Sequence, residues 1–272
     1  MSTVDVRERP DASRRRVARA ASRRRLSALG RAELLLLGRN RGAVLTALLV
    51  PLALPFSVRP VIDQPGLKAQ DLNVGTLMLT AATGFSFLFA VYTSLVSAYV
   101  ARREELVLKR LRSGEAADAE ILAGTALPAL CLGLAQALVL SVGCAVLLDA
   151  GAPEAPYLTL LGLLLGLLLS AALAALTSAV TRTTESAQVT ALPLVFVSML
   201  GSGIAVPVDI LPERVARVCE FLPLSPAVRL VRAGWTGELG AGQATGTVLT
   251  ALAWTLVAVF AVRRWFRWEP RR

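Results

Sequence analysis

The sequence predicts an all-α integral membrane protein with six transmembrane helices. An interfacial elbow helix precedes them, a charged cytoplasmic helix separates the second from the third, and two short outer helices separate the fifth from the sixth. Three observations carry this. Several apolar runs reach the roughly 20 residues that a helix needs to cross hydrocarbon. The 272-residue chain is 55% hydrophobic with a mean hydropathy of +0.61, yet its formal charge is +10, so apolar and charged residues occupy separate blocks. With six crossings drawn, 23 of the 29 lysines and arginines fall on the side of both termini and 6 on the other. Such a bias places the basic side in the cytoplasm.

Residues 1–25 hold nine arginines, Pro10 and three acids, the composition of a disordered basic cytoplasmic tail. The tail has no interleaved aromatics and adjoins a membrane domain, so anionic lipid headgroups are its expected partner and nucleic acid is not. Residues 26–266 form the membrane domain, and residues 267–272 a cytoplasmic C-terminal tail. The leucines of SALGRAELLLLGRNR (27–41) alternate with Arg31, Glu33, Arg39 and Arg41. Charges at that frequency suit a helix lying in the interface rather than spanning. The first crossing, about 43–58, contains Pro51 and Pro55, which remove backbone donors and predict a kink or an unwound outer end.

The second crossing, about 74–100, carries no charge. After it comes ARREELVLKRLRSGEAADAEILAG (101–124), the densest charged passage between the first long apolar segment and the last. As a helix it places Val107, Leu108 and Leu111 on one side, with Arg102, Arg103, Glu105, Lys109, Arg110 and Arg112 around the rest. Glu105 and Lys109 stand four apart in the favourable order. Two readings remain for this passage: a solvated loop that anchors topology, or a short helix offered to a soluble partner. Ser113 and Gly114 break it, and Glu115, Asp118 and Glu120 favour the start of the third crossing, about 121–148.

A small outer turn leads into the fourth crossing, about 157–180, built of leucine, alanine and glycine, where small residues permit close helix approach. A short inner loop with Arg182 and Glu185 precedes the fifth, about 187–206. In the outer segment 207–243, Pro212 opens one amphipathic helix that Leu222-Pro223 ends. Ser225 is the expected N-cap of a second helix, with Pro226 at its first position and Gly234 as its stop. Both helices are expected at the outer face. The sixth crossing, about 244–262, leads to Trp265, Phe266 and Trp268, an interfacial anchor beside arginines.

Several chemistries lack their residues. The chain has no histidine, and Cys131, Cys144 and Cys219 have no metal-binding or disulfide spacing, so neither a His-based triad nor a zinc set can be drawn. No Gly-x-x-x-x-Gly-Lys-Ser/Thr phosphate loop exists for ATP hydrolysis. The last five crossings contain no Asp, Glu, Lys or Arg, which argues against an ion-coupled secondary transporter. A lipid-modifying enzyme would need clustered interfacial acids, and the only cluster is interleaved with basic residues in 101–124. The expectation is a protein with no catalytic site and no metal, whose energy arrives from elsewhere. Phe85, Phe87, Phe89, Tyr92, Phe196 and Met199 offer aromatic and soft surface to a hydrophobic solute, but packing or lipid contact is the simpler role and none is assigned to substrate.

The order and sidedness of three passages carry a resemblance. GRAELLLLGRNRGAVLTALLVPLALP, REELVLKRLRSGEAADAEILAG and VPVDILPERVARVCEFLPLSPAVRLVR resemble, in turn, three parts of the membrane subunit of type-2 ABC exporters, the daunorubicin-resistance-like permeases. Those parts are the elbow and proline-bearing first crossing, the coupling loop, and the outer helical segment. The resemblance covers about residues 26–266. Where the family often has a glycine in the coupling stretch this chain has Glu105-Leu106, and where it often has proline-serine after leucine-arginine this chain has Ser113-Gly114-Glu115-Ala116.

The resemblance implies a permease that pairs with a second permease, as homodimer or heterodimer, and with two copies of a separate ATPase. ATP and Mg would be held by that partner and no cofactor by this chain. It implies that Arg103, Glu104, Glu105, Leu108, Lys109, Arg110, Leu111 and Arg112 couple to the ATPase, with Leu108 and Leu111 filling its groove. It further implies export of a drug, lipid or glycan precursor. The arginine- and alanine-rich composition suggests a bacterial plasma membrane. A non-transporting scaffold or immunity protein is the alternative, and an ATPase gene beside this one would weigh against it.

Overall fold

A computed structural model describes residues 74–112, 117–147, 152–206, 208, 211–266 and 268. The expected basic tail, elbow helix, first crossing and the break at Ser113-Gly114 lie outside these residues. Among the described residues the chain is all helical, without strands. Helix α1 (Val74–Phe85) continues through a π-helical segment (Ser86–Thr93) into α2 (Ser94–Glu104), and α3 (Val107–Arg112) follows a two-residue turn. Then come α4 (Asp118–Leu147), α5 (Pro156–Val180), α6 (Thr184–Gly201), α7 (Glu213–Cys219), α8 (Ser225–Thr236) and α9 (Ala241–Trp265).

Four helices among the described residues are long and apolar enough to cross a membrane: Gly75–Glu104, Asp118–Gly143, Pro156–Val180 and Ala241–Trp265. Helix α6 has 18 residues, about 27 Å at 1.5 Å per residue, and its first turns carry Glu185 and Gln188. A capping box starts it: the Thr183 hydroxyl accepts from Ser186 N, and the Ser186 hydroxyl accepts from Thr183 N. It ends at Gly201, five residues before the apolar run does, and Gly203 turns the chain with φ +73°.

The Gly75–Glu104 helix lies at the centre of the bundle. Phe85, Phe87, Leu88, Val91, Tyr92 and Leu95 are fully buried, in contact with α4, α5 and α6. In lipid such packing is held by van der Waals contact and interhelical hydrogen bonds rather than by expulsion of water. The Tyr92 hydroxyl lies 3.0 Å from that of Thr177, and the Tyr99 hydroxyl donates to the Leu122 carbonyl at 3.0 Å. These two bonds tie the central helix to α5 and α4. Thr80, Thr125 and Thr255 instead donate within their own helix, to carbonyls four residues back. Phe85, Phe87 and Tyr92 are therefore core residues, while Phe196 is exposed on α6.

The two short helices between α6 and α9 differ from each other. Helix α7 buries only Cys219, but nine of the twelve residues of α8 are buried. Helix α8 is thus set into the end of the bundle instead of lying on its face. Gly234 does not stop it; the stop is Gly237, in the left-handed conformation at φ +67°. Gly234 serves close approach instead. A Cβ there would stand 2.4 Å from Thr159 N, and one at Gly162 would stand 2.8 Å from Val231 N. The Ala155 N–H donates to the Gly234 carbonyl at 2.9 Å across the same seam.

Candidate functional site

The predicted site gathers at the end of the bundle where α2 stops. The charged stretch is not one continuous helix. Helix α2 runs through Arg102 and Arg103 to Glu104, and the chain turns at Glu105 and Leu106 before α3 begins. Leu106 takes φ +60°, the left-handed region that costs a branched L-residue about 1–2 kcal/mol. Its side chain is 40% exposed at the tip of that turn. The Glu105 N–H reaches the Ala101 carbonyl at 2.9 Å and the Arg110 N–H reaches the Leu106 carbonyl at 3.0 Å, so both flanking helices are anchored to the turn.

Arg103 is buried, 1% exposed. Its Nη1 donates to the Ser178 carbonyl at 2.8 Å and its Nη2 to the Thr181 carbonyl at 2.5 Å. These carbonyls belong to the last turn and cap of α5, where backbone acceptors have no helical partner and the dipole is negative. The guanidinium therefore closes the C-terminal end of a neighbouring crossing, and it faces inward, away from any docking surface.

Glu104, the next residue, does the converse. Its Oε2 accepts from the backbone N–H of Thr184 at 3.3 Å, at the positive N-terminal end of α6. A third contact, Gln188 Nε2 to Ser97 Oγ at 3.2 Å, lies one turn deeper on α6 and about two turns deeper on α2. The short 181–183 connection between α5 and α6 is thus gripped by two adjacent residues of opposite charge, each matched to the helix end it meets.

The remaining predicted residues divide by exposure. Leu108 is completely buried, so it packs under α3 instead of presenting itself to a partner. Leu111 is partly exposed, and Glu105 and Arg110 are exposed. Lys109 and Arg112 lie on the same helix. At this end too, the Tyr99 ring meets Phe266 edge-on with centroids 6.2 Å apart, and Phe266 meets Trp268 at 5.0 Å, which fastens the end of α9 to α2. Charge pattern alone did not separate inward Arg103 from outward Arg110. What separates them is the α5 end beneath Arg103, a partner 75 residues away in the chain.

Among the described residues no group of three or more His, Cys, Asp or Glu side chains is placed to hold a metal ion. The site offers a rigid link between three helices and a short charged projection, a mechanical arrangement more than a chemical one.

The profile of the ABC-2 type transporter family matches residues 24–235, well over half of the chain and including α2, α3 and the α5–α6 connection. The chain belongs to the ABC-2 type transporter family. No curated protein gives a match. As an ABC-2 permease the chain is a multi-pass transmembrane component of an ABC-type transporter, a class that acts together with an ABC ATPase subunit.

Proposed function

We propose that this ABC-2 permease is the membrane half of an exporter, and that α3 receives the stroke of a separate ATPase and passes it to crossings two to five. The permease has six crossings with both termini in the cytoplasm of a bacterium, the first crossing lying ahead of residue 74. It pairs with a second permease and two ATPase copies, and moves a hydrophobic or amphipathic drug, lipid or glycan precursor outward. ATP and Mg are held by the ATPase, and this chain has no catalytic site of its own.

The observation that carries this reading is the grip of Arg103 and Glu104 on the ends of α5 and α6. A projection that moved freely would dissipate displacement in its own loop. Here only the Glu105–Leu106 turn, hydrogen-bonded to both flanking helices, separates α3 from the two residues that hold the neighbouring connection, so tilting α3 tilts the inner ends of three crossings together. Exposed Glu105 and Arg110 and partly exposed Leu111 face the ATPase, Leu106 stands at the tip, and Leu108 stiffens the projection from beneath.

The test is co-purification of the permease in mild detergent with the ATPase encoded beside its gene, followed by ATPase turnover in the complex. The charge reversal Glu105→Arg/Arg110→Glu alters only exposed groups. It is expected to leave the permease folded and to abolish association or permease-dependent turnover. Unchanged association and turnover would remove α3 from the interface.

A further inference from the structure

At the opposite end of the bundle a partly enclosed cavity of about 270 Å³ opens between α1, the turn after α6, and α8. Its charged wall is built from three segments. Arg229 and Arg232 stand three apart on α8 and so project from the same face. Arg229 Nη1 lies 2.9 Å from Glu220 Oε1, just after α7, and Arg232 Nη2 lies 3.9 Å from Glu238 Oε2, just after α8. Leu77, Val228 and Leu239 form the apolar lining, with Thr80, Ser225 and Gln243 as neutral polar groups.

Helix α8 is otherwise packed on nearly every side, so these two arginines occupy the face the fold leaves to the cavity. Ion pairs that merely held α8 in place would sit as well against a filled surface. Here two cations and two anions line a space instead. The space is smaller than the roughly 300–1,000 Å³ of pockets that enclose a whole drug-sized molecule, and it suits a headgroup. Beside it, Val215, Val218 and Phe221 are exposed on and just after α7, a spacing of three that leaves an apolar stripe outside the cavity mouth.

We propose that this cavity binds the headgroup of a zwitterionic amphiphile carrying a phosphate and a primary amine, with its hydrocarbon along the α7 stripe. The phosphate lies between Arg229 and Arg232, whose planar forks match phosphate oxygens. The ammonium lies between Glu220 and Glu238, which accept its three N–H donors. A headgroup with only an anion leaves both carboxylates facing like charge, and a quaternary amine offers them no donor. Placing the cavity in the outer leaflet rests on the orientation proposed above; the binding chemistry does not.

The test uses the full chain, without ATPase, in a nonionic detergent. Short-chain phosphatidylethanolamine, phosphatidylglycerol and phosphatidylcholine are titrated in turn, and bound lipid is counted by native mass spectrometry. Phosphatidylethanolamine is expected to bind at least tenfold more tightly than either of the others. Arg229→Gln/Arg232→Gln loses at least tenfold in affinity for it, whereas Glu220→Gln/Glu238→Gln loses only the preference for ethanolamine. Equal affinity for the three lipids would overturn the proposal, as would unchanged binding in the arginine variant. If the arginine variant does not fold, the glutamate variant decides, since an ethanolamine preference that survives it overturns the assignment. Adding the ATPase then separates two sources: stimulation of turnover by the lipid marks cargo, and binding without stimulation marks a resident bilayer lipid. Loss of ATPase coupling in α3 variants leaves this binding unchanged, so the two proposals fail separately.

Discussion

Replacing Arg103 by alanine removes two charge-assisted hydrogen bonds, of 2.8 and 2.5 Å, from the end of α5. Bonds of this kind contribute about 1.5–3 kcal/mol each. Against that stands the cost of burying the guanidinium, several kcal/mol, which alanine relieves. What remains is the desolvation of the Ser178 and Thr181 carbonyls, about 1–3 kcal/mol for each acceptor left unmade, less whatever water recovers. The void left by the side chain adds to it. These terms combine to a net loss of about 2–4 kcal/mol. For a chain of this size that corresponds to a fall in apparent Tm of roughly 5–10 °C. Membrane proteins commonly unfold irreversibly, so wild type and variant are compared at one scan rate in one detergent. Arg103→Lys keeps the charge but lacks the fork that spans both carbonyls, and is expected to lose about half as much. The specific readout is hydrogen exchange at residues 181–184, which accelerates when the grip is lost. If Arg103→Ala melts within about 1 °C of wild type and exchange at 181–184 is unchanged, the grip holds nothing and the transmission argument fails with it.

Three further outcomes follow from the packing. Gly162→Ala forces a Cβ to 2.8 Å from Val231 N and 2.9 Å from the Ala227 carbonyl, backbone atoms that cannot step aside. It should cost about 1–3 kcal/mol, while Gly143→Ala, which meets nothing within 4 Å, should be neutral or gain about 0.5–1 kcal/mol of helix propensity; thermal melts in detergent compare them. Leu106→Gly relieves the left-handed backbone and should raise the melting temperature through a net gain of about 0.5–1 kcal/mol, whereas Leu106→Ile should lower it. Leu108→Asp buries a carboxylate beneath α3 and should abolish monodisperse protein on size exclusion, while Leu111→Asp should elute like wild type and fail only in ATPase association.

The crossings were legible because a bilayer demands length and apolarity, both local properties of sequence. The four helices long and apolar enough to span lie within a few residues of the runs read as the second, third, fourth and sixth crossings. The run read as the fifth crossing extends to Val206, but its helix ends at Gly201, ahead of a left-handed Gly203 that hydropathy does not register, and it is not among the four helices long and apolar enough to span. Helix α8 reads from the sequence as a helix at the outer face, because nothing local to 225–234 reports what packs against it. Its burial depends on Gly162 of α5 admitting Ala227 and Val231, and on Gly234 of α8 admitting Thr159, contacts between distant segments. Gly234 looked like a helix stop for the same reason, since a glycine reads alike whether it turns the backbone or admits a neighbour.

At the candidate site, the location of the charged projection was legible and the roles within it were not. A run of arginines and glutamates fits solvation, topology and docking equally well. Arg103 and Glu104 are set apart only by the helix ends they meet, Ser178 and Thr181 on one side and Thr184 on the other. The left-handed Leu106 was equally hidden, since neither charge nor hydropathy marks a leucine at positive φ.

The claim that α3 and the α5–α6 connection move as one body can be measured directly. Spin labels at Glu105 and Glu185, both exposed, are introduced with Cys131, Cys144 and Cys219 replaced, and distances are recorded by double electron–electron resonance in the ATPase complex. A second pair reports Glu105 against Glu213 at the far end of the bundle. Between the nucleotide-free and ATP-trapped states the 105–185 distance should hold constant while the 105–213 distance shifts. A 105–185 distance that changes with nucleotide would show α3 moving independently of the crossings, and would contradict the proposed transmission.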